Sequence, residues 1–194
     1  MKNRAFTLIE MLTVIALTAL IFSALGMILR YFYITNAYAL QQAQAVASAR
    51  RALESSMVAL REASYGADGS YPIASAATSS IVFYADVNGT ADQISYYLLN
   101  GVLYKTLRAP GGSPLTYVGQ PAATTTIATY VVNATSTPVF TYYNASGTAL
   151  TSPVNIGDIT SVGTSIVVDV NTNRSPVSFT LSAAATLRNL RNQL

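Results

Sequence analysis

The feature that most constrains this sequence is a long apolar run near its beginning. Residues 6 to 29 make up 24 positions, all uncharged except Glu10. As a helix that rises 1.5 Å per residue, the run would extend about 36 Å, which is enough to cross the hydrocarbon core of a bilayer. The alternative is a buried core helix, but such a helix rarely needs so many apolar positions in succession. The run therefore predicts one membrane-spanning helix.

The residues on either side of the run predict its orientation. Lys2 and Arg4 precede it, and positively charged residues tend to stay on the cytoplasmic side of a membrane. Tyr31, Phe32 and Tyr33 follow it, in keeping with the aromatic residues that gather at membrane interfaces. We therefore expect the rest of the chain to lie outside the cytoplasm.

The helix is expected to continue beyond the membrane, over residues 30–65. This stretch has no proline or glycine, and its apolar residues recur every three or four positions, as on one face of a helix. The apolar stripe consists of Val46, Ala49, Leu53, Met57 and Leu60. Charged residues fall outside it, which predicts a helix laid against a sheet. A free coiled coil is the alternative, although the stripe is short for one. Gly66 and Pro72 are expected to mark the end of the helix.

Residues 66–194 have the pattern of an antiparallel β domain. Asn100-Gly101 stands between two β-prone runs and predicts a two-residue hairpin of type I′. The runs "SIVFYAD" and "ISYYLL" are expected to pair with each other. Further candidate strands are residues 125–132, 139–143, 159–170 and 177–187. The predicted fold class is therefore α+β, with one long helix packed on an antiparallel sheet.

Composition makes several kinds of function improbable. The chain has no histidine and no cysteine, so it lacks the commonest general base, the commonest metal ligand and thiolate chemistry. An enzyme is therefore not expected. Charged residues are only 10% of the chain, and its net charge is +3. Those charges are too few and too scattered to indicate a nucleic-acid surface.

The beginning of the chain resembles the class III leader of type IV pilins and pseudopilins. The resemblance rests on "RAFTLIEMLTVIALTALI": a short basic leader, a small residue, Phe6, and then Thr-Leu-Ile-Glu. It implies that prepilin peptidase removes a leader of residues 1–5 by cutting between Ala5 and Phe6, and that it methylates the new amine of Phe6. The family usually has glycine before the cut, and Ala5 stands there in this chain.

The resemblance also implies a function and a location. "IVFYADVNGTADQISYYLLNGVLYKT" and "VFTYYNASGTAL" are similar to segments of J-type minor pseudopilins. A protein of this kind is a structural subunit of a type IV pilus or a type II secretion pseudopilus. Its partners are other pilins, prepilin peptidase and an inner-membrane assembly platform. It is held in the cytoplasmic membrane by residues 6–29 and then enters a periplasmic or extracellular filament. The alternative is a ligand-binding minor pilin whose exposed loops bind DNA or a surface.

Glu10 calls for a separate explanation, because a carboxylate within a membrane helix costs about 2.5–3.5 kcal/mol on insertion scales. One hypothesis is that Glu10 reaches the interface and favours the positive end of its own helix. The other follows from the resemblance: Glu10 of one subunit pairs with the Phe6 amine of a neighbour and sets the register of assembly. We expect the second explanation, because the family motif has a glutamate at this spacing, so Glu10 is predicted to be an assembly residue.

A turn in the β domain is a weak candidate for a metal site. Asp86, Asn88, Thr90 and Asp92 alternate, as oxygen ligands of Ca²⁺ can. Ala91 and Tyr97, however, stand where a complete calcium loop has glycine and a bidentate glutamate. We therefore expect no cofactor, and a plain hairpin turn in preference to calcium.

Overall fold

The computed structural model describes residues 6–86, 89–174 and 178–187. The chain divides into two compact units, residues 1–41 and 42–194. Each unit is described by itself below. The fold class is the expected one: an α+β arrangement in which a long N-terminal helix accompanies an antiparallel β domain.

A single helix, α1, runs from Leu8 to Arg61 over 54 residues. It ends before the expected cap at Gly66, because the chain beyond it joins a strand. Ala63 bridges to Ala85, and the Ser64 N–H donates to the carbonyl of Tyr84 at 2.9 Å. These bonds draw the backbone out of helical geometry before the glycine is reached.

The β domain contains two antiparallel sheets, whereas the sequence suggested one. The first has five strands in the order β1 to β5, and the second has three in the order β6 to β8. The strands are β1 Ile73–Ala76, β2 Ser80–Asp86, β3 Ala91–Leu99, β4 Val102–Arg108, β5 Ala123–Ala128, β6 Phe140–Tyr143, β7 Ser161–Val168 and β8 Phe179–Thr186.

The two pairings expected from sequence are confirmed. Strand β2 pairs along its whole length with residues 91–97 of β3, and β3 and β4 form the hairpin around Asn100-Gly101. Both turn residues have positive φ, 50° for Asn100 and 74° for Gly101, as a type I′ turn requires. Strand β1 was not expected, since "IASA" is too short and too rich in alanine to stand out as a strand.

One hydrophobic core joins the second half of α1 to both sheets. The predicted stripe is confirmed: Ala49, Leu53, Met57 and Leu60 are buried, and Val46 packs against them. Aromatic residues from both sheets meet this stripe, among them Phe83, Tyr96, Phe140 and Tyr142. Burial of these large side chains is the main driving force for the domain.

Hydrogen bonds from an irregular segment hold the two sheets together. The Val131 N–H donates to Gly101 at the β3–β4 turn, and the Val132 N–H donates to Val167 of β7. Asn133 adds a bridge, because its amide donates to Ser165 at 2.9 Å and its oxygen accepts from the Val167 N–H at 2.8 Å. This segment therefore fixes the position of one sheet relative to the other.

Gln42 attaches the helix to the end of β7. Its side chain is 4% exposed. The side-chain oxygen accepts from the Val170 N–H at 3.0 Å, and its NH₂ group donates to the Val168 carbonyl at 3.5 Å. The amide thus serves as an extra pairing partner for the backbone just beyond the strand. A buried side chain that satisfies backbone groups is expensive to remove, because those groups lose a partner without gaining water.

We expect Gln42→Ala to lower the free energy of unfolding by about 1–3 kcal/mol, since it leaves the part-buried Val170 N–H without its acceptor. Gln41→Ala is the matched control, because the neighbouring glutamine is exposed. Thermal melting of the two variants in the same detergent measures the difference. Equal melting temperatures for both variants would contradict the role given to Gln42.

Candidate assembly site at the start of the helix

The first half of α1 exposes a large apolar surface. An 18-residue window in α1 has a mean hydropathy of 2.5, and none of that window is buried. Its side chains, including Ile9, Leu12, Ile15 and Phe22, are largely exposed. This result excludes the alternative of a buried core helix. Surface of this kind requires a lipid or protein environment.

Thr7 and Glu10 form a reciprocal cap at the helix N-terminus. The N–H and the hydroxyl of Thr7 both donate to Glu10 Oε2 at 2.8 Å. In return, the Glu10 N–H donates to Thr7 Oγ1 at 3.4 Å. With α1 beginning at Leu8, Thr7 is the N-cap residue and Glu10 is the third helical residue. This is the capping-box arrangement, in which each side chain satisfies a backbone N–H of the other residue.

The cap explains how a carboxylate can occupy this position. Its oxygen accepts two hydrogen bonds, and its negative charge lies in the first turn, where the helix dipole is positive. Both effects stabilise the carboxylate in surroundings that offer it little water. One hypothesis was that Glu10 stabilises the start of its own helix, and the structure shows that Thr7 is its partner there.

The cap also determines where the other predicted residues lie. Phe6 comes immediately before the N-cap and is exposed, at 78% of its surface. The carboxylate of Glu10 is turned back toward the chain start, because it bonds to Thr7, the residue after Phe6. Ala5 lies outside the described residues. A cut between Ala5 and Phe6 would therefore place the new amine one residue from the Glu10 cap.

Thr7 was not assigned a role from sequence, although a signal for it was available. Thr7-Leu8-Ile9-Glu10 fits the pattern Ser/Thr-x-x-Glu that precedes an apolar helix. The same four residues form part of the family leader. They were therefore explained by the resemblance alone, and not also as a helix cap. The motif specifies the start of the helix as well as the resemblance.

In the β domain, strand register separates the two carboxylates of the candidate calcium turn. Asp86 pairs with Ala91, and Asp92 pairs with Ala85. Neighbouring residues of a strand point to opposite faces, so Asp86 and Asp92 lie on different sides of the sheet. Asp86 is exposed and accepts from the Gly89 N–H at 2.7 Å, as in a tight turn. Asn88 lies outside the described residues.

Asp92 is buried, with 4% of its surface exposed. Burial raises the pKa of the Asp92 carboxyl above its usual range, and the nearby charge of Asp86 adds to the effect. Among the residues that the structure describes, no three histidine, cysteine or acidic side chains are grouped to hold a metal ion. The alternating residues Asp86 and Asp92 belong to strands β2 and β3, whose successive side chains point to opposite faces.

We expect the protein to melt at nearly the same temperature in calcium as in a chelator. Carboxylates on opposite faces cannot share one ion without rearranging the sheet, and only a ligand that favours the folded state raises the melting temperature. Differential scanning calorimetry in the two buffers is the measurement. An increase of many degrees in calcium, abolished in Asp92→Asn, would contradict this expectation.

Comparison with known proteins adds one match. Residues 1–26 match the family model of the prokaryotic N-terminal methylation motif. A search of curated proteins with the whole chain gave no match. The matched motif is a type IV pilin-like class III leader, and it indicates a pilin or pseudopilin that is a substrate of prepilin peptidase. Proteins with this motif are structural subunits, and the exposed apolar helix fits a membrane-anchored pilin.

Proposed function

We propose that this protein is a minor pilin or pseudopilin, a structural subunit of a type IV pilus or a type II secretion pseudopilus. The observation that carries the proposal is the capped apolar helix: a leader motif, a Thr7–Glu10 cap and an apolar surface that the chain leaves exposed. Such a surface suits lipid first and the helices of other subunits afterwards. The J-type minor subunits are the subtype we favour.

Residues 6–29 would anchor the protein once in the cytoplasmic membrane, with the β domain outside. Lys2 and Arg4 favour this orientation, since they precede the apolar run. Prepilin peptidase would cut between Ala5 and Phe6 and methylate Phe6. The mature subunit would then pass through the assembly platform into a periplasmic or extracellular filament, among other pilins.

Glu10 would have two successive partners in this scheme. In the membrane its oxygen accepts from Thr7, which offsets part of the cost of burying a carboxylate. In the filament, the positive Phe6 amine of a neighbouring subunit would pair with Glu10. Two opposite charges that neutralise each other in a dry interior fix a register, because any other alignment leaves both unpaired.

A ligand-binding role through exposed loops is the second candidate, and its DNA version receives little support. Within the described parts of the β domain, the cations Lys105 and Arg108 lie on β4, and Arg174 is the one that lies in a loop. The loop between β4 and β5 is uncharged. DNA binding depends on releasing counterions from several phosphates, which requires more basic residues than these loops offer.

The first prediction for this function concerns processing. We expect Ala5→Leu to accumulate as a precursor five residues longer than the mature chain, because a bulky side chain obstructs a peptidase that requires a small residue before the cut. Ala5→Gly is the matched control and should be processed at least as well as the original chain. Mass spectrometry of the membrane fraction reads both results. A mature N-terminus other than Phe6 would refute the assigned cut.

The second prediction separates the two explanations of Glu10. Glu10→Val loses the charge and the cap, whereas Glu10→Gln loses only the charge, since glutamine also serves in a capping box. If the charge sets the register, both variants should be inserted and cleaved normally, yet both should be depleted from filaments assembled beside the original subunit. Quantifying each variant in sheared filaments is the measurement.

Normal incorporation of Glu10→Gln would show that Glu10 acts as a helix cap and not as a charge partner. Normal incorporation of Glu10→Val would contradict the charge-pairing explanation and would show that the cap is not required for assembly. Immunodetection of the cleaved protein in membranes is the control that keeps either result from reflecting a failure of insertion.

A further inference from the structure

The outer face of the three-stranded sheet contains a shallow depression. It has a volume of about 330 Å³ and extends across β6, β7 and β8. Tyr142, Val162 and Ala185, one from each strand, are in the core, and successive side chains of a strand point to opposite faces. The side chains that line the depression alternate with these core residues and therefore lie on the face away from the core. They are Thr141, Tyr143, Gly163, Ser165, Ser182 and Ala184.

Two small residues form the floor of the depression. In the register, Gly163 of β7 lies between Thr141 of β6 and Ala184 of β8. The φ of Gly163 is not positive, so its backbone conformation does not itself require glycine. A glycine inside a strand often marks a place that a ligand or another group approaches closely. The floor is therefore low because two neighbouring strands both lack a large side chain at this point.

The Tyr143 ring forms one wall of the depression. A Cβ atom at Gly163 would lie 3.1 Å from Cε2 of Tyr143 and 3.6 Å from its hydroxyl oxygen, so the ring extends over the glycine. Tyr143 pairs with Ser161, two residues before Gly163, so the ring reaches diagonally across the sheet, as aromatic side chains can. The ring is only half-buried, and its exposed part faces the depression.

Four hydroxyl groups surround this floor. They belong to Thr141, Tyr143, Ser165 and Ser182. Within the described parts of the chain, none of these hydroxyls is hydrogen-bonded to another protein group. Each can donate one hydrogen bond and accept others. No charged side chain lines the depression. The lining therefore suits a ligand that has no charge and that both donates and accepts hydrogen bonds.

One class of small ligand satisfies these conditions. A phosphate or carboxylate would find no opposite charge here, and an apolar ligand would displace water from the hydroxyls without replacing its hydrogen bonds. A sugar has hydroxyls around the edge of its ring and apolar C–H groups on its faces, so it can bond to serine and threonine while one face rests on an aromatic ring. The volume of about 330 Å³ is at the lower end of the range for ligand pockets, which suits a mono- or disaccharide unit.

We propose that this depression is a binding site for a neutral sugar unit of an oligosaccharide. The Tyr143 ring supports one face of the sugar, the neighbouring serine and threonine hydroxyls bond to its hydroxyls, and Gly163 and Ala184 leave room for it. Because the depression is shallow, the affinity is low, with a Kd of about 1 mM. All of the lining residues belong to the unit of residues 42–194, so sugar binding requires neither the membrane half of α1 nor entry into a filament.

NMR titration of the full chain tests the site. The probes are uncharged trisaccharides of glucose, mannose, galactose and N-acetylglucosamine, and the detergent must have no sugar head group, because such a head group would compete. At least one probe should shift the amide resonances of Gly163, Ser165 and Ala184 in a saturable manner. Amides of Ser95 and Thr106, which belong to the five-stranded sheet, should not shift.

Two substitutions in β8 connect the shifts to the depression. Ala184→Ile should weaken sugar binding about tenfold or more, because the larger side chain occupies the floor. Ala184 is exposed and isoleucine suits a strand, so the melting temperature should stay close to that of the original chain. Ser182→Ala removes one hydroxyl and should weaken binding about two- to tenfold. Thr180→Ile is the matched control, since Thr180 is exposed on the same face of β8 but does not line the depression.

Three results would overturn the sugar site. The first is the absence of a saturable shift with any of the four trisaccharides. The second is undiminished binding by both Ala184→Ile and Ser182→Ala in the folded state. The third is an equal loss of binding in Thr180→Ile and Ala184→Ile. Sugar binding by a chain that never enters filaments would support the site and count against the proposed function alone, so the two failures are distinguishable.

Discussion

The structure depends on one continuous helix, α1, whose two halves have different surroundings. Over its first half, α1 exposes apolar side chains that water cannot stabilise, and over its second half it buries a stripe of small and medium side chains against two sheets. A continuous helix satisfies its own backbone in both settings, which no irregular segment could do within lipid. Residues 8–61 contain no proline and only one glycine, Gly26, which is consistent with one uninterrupted helix.

The Thr7–Glu10 cap solves a local problem that this arrangement creates. The first N–H groups of any helix lack intrahelical partners, and a membrane supplies few substitutes. Here the Glu10 side chain accepts from the Thr7 N–H, and the Thr7 side chain accepts from the Glu10 N–H. The charge that looks misplaced in the sequence is thus part of the cap at the N-terminus of the helix, next to Phe6.

Local patterns in the sequence predicted much of this fold. Asn100 and Gly101 both accept positive φ, so this pair of residues is sufficient to predict the turn. The apolar stripe from Val46 to Leu60 predicts which face of the helix is buried. Non-local features were not predictable in this way. The division into two sheets depends on bonds from Val131 and Val132 to residues far away in sequence. The faces on which Asp86 and Asp92 lie likewise follow from the register of β2 with β3, which places them on opposite sides of the sheet.

Gln42 has a mechanical consequence. The Gln42 side chain is bonded through both its oxygen and its NH₂ group to the backbone at the end of β7, so it links α1 directly to the second sheet. Any force that separates residues 42–61 of α1 from the sheets would have to break these bonds together with the contacts of the buried stripe.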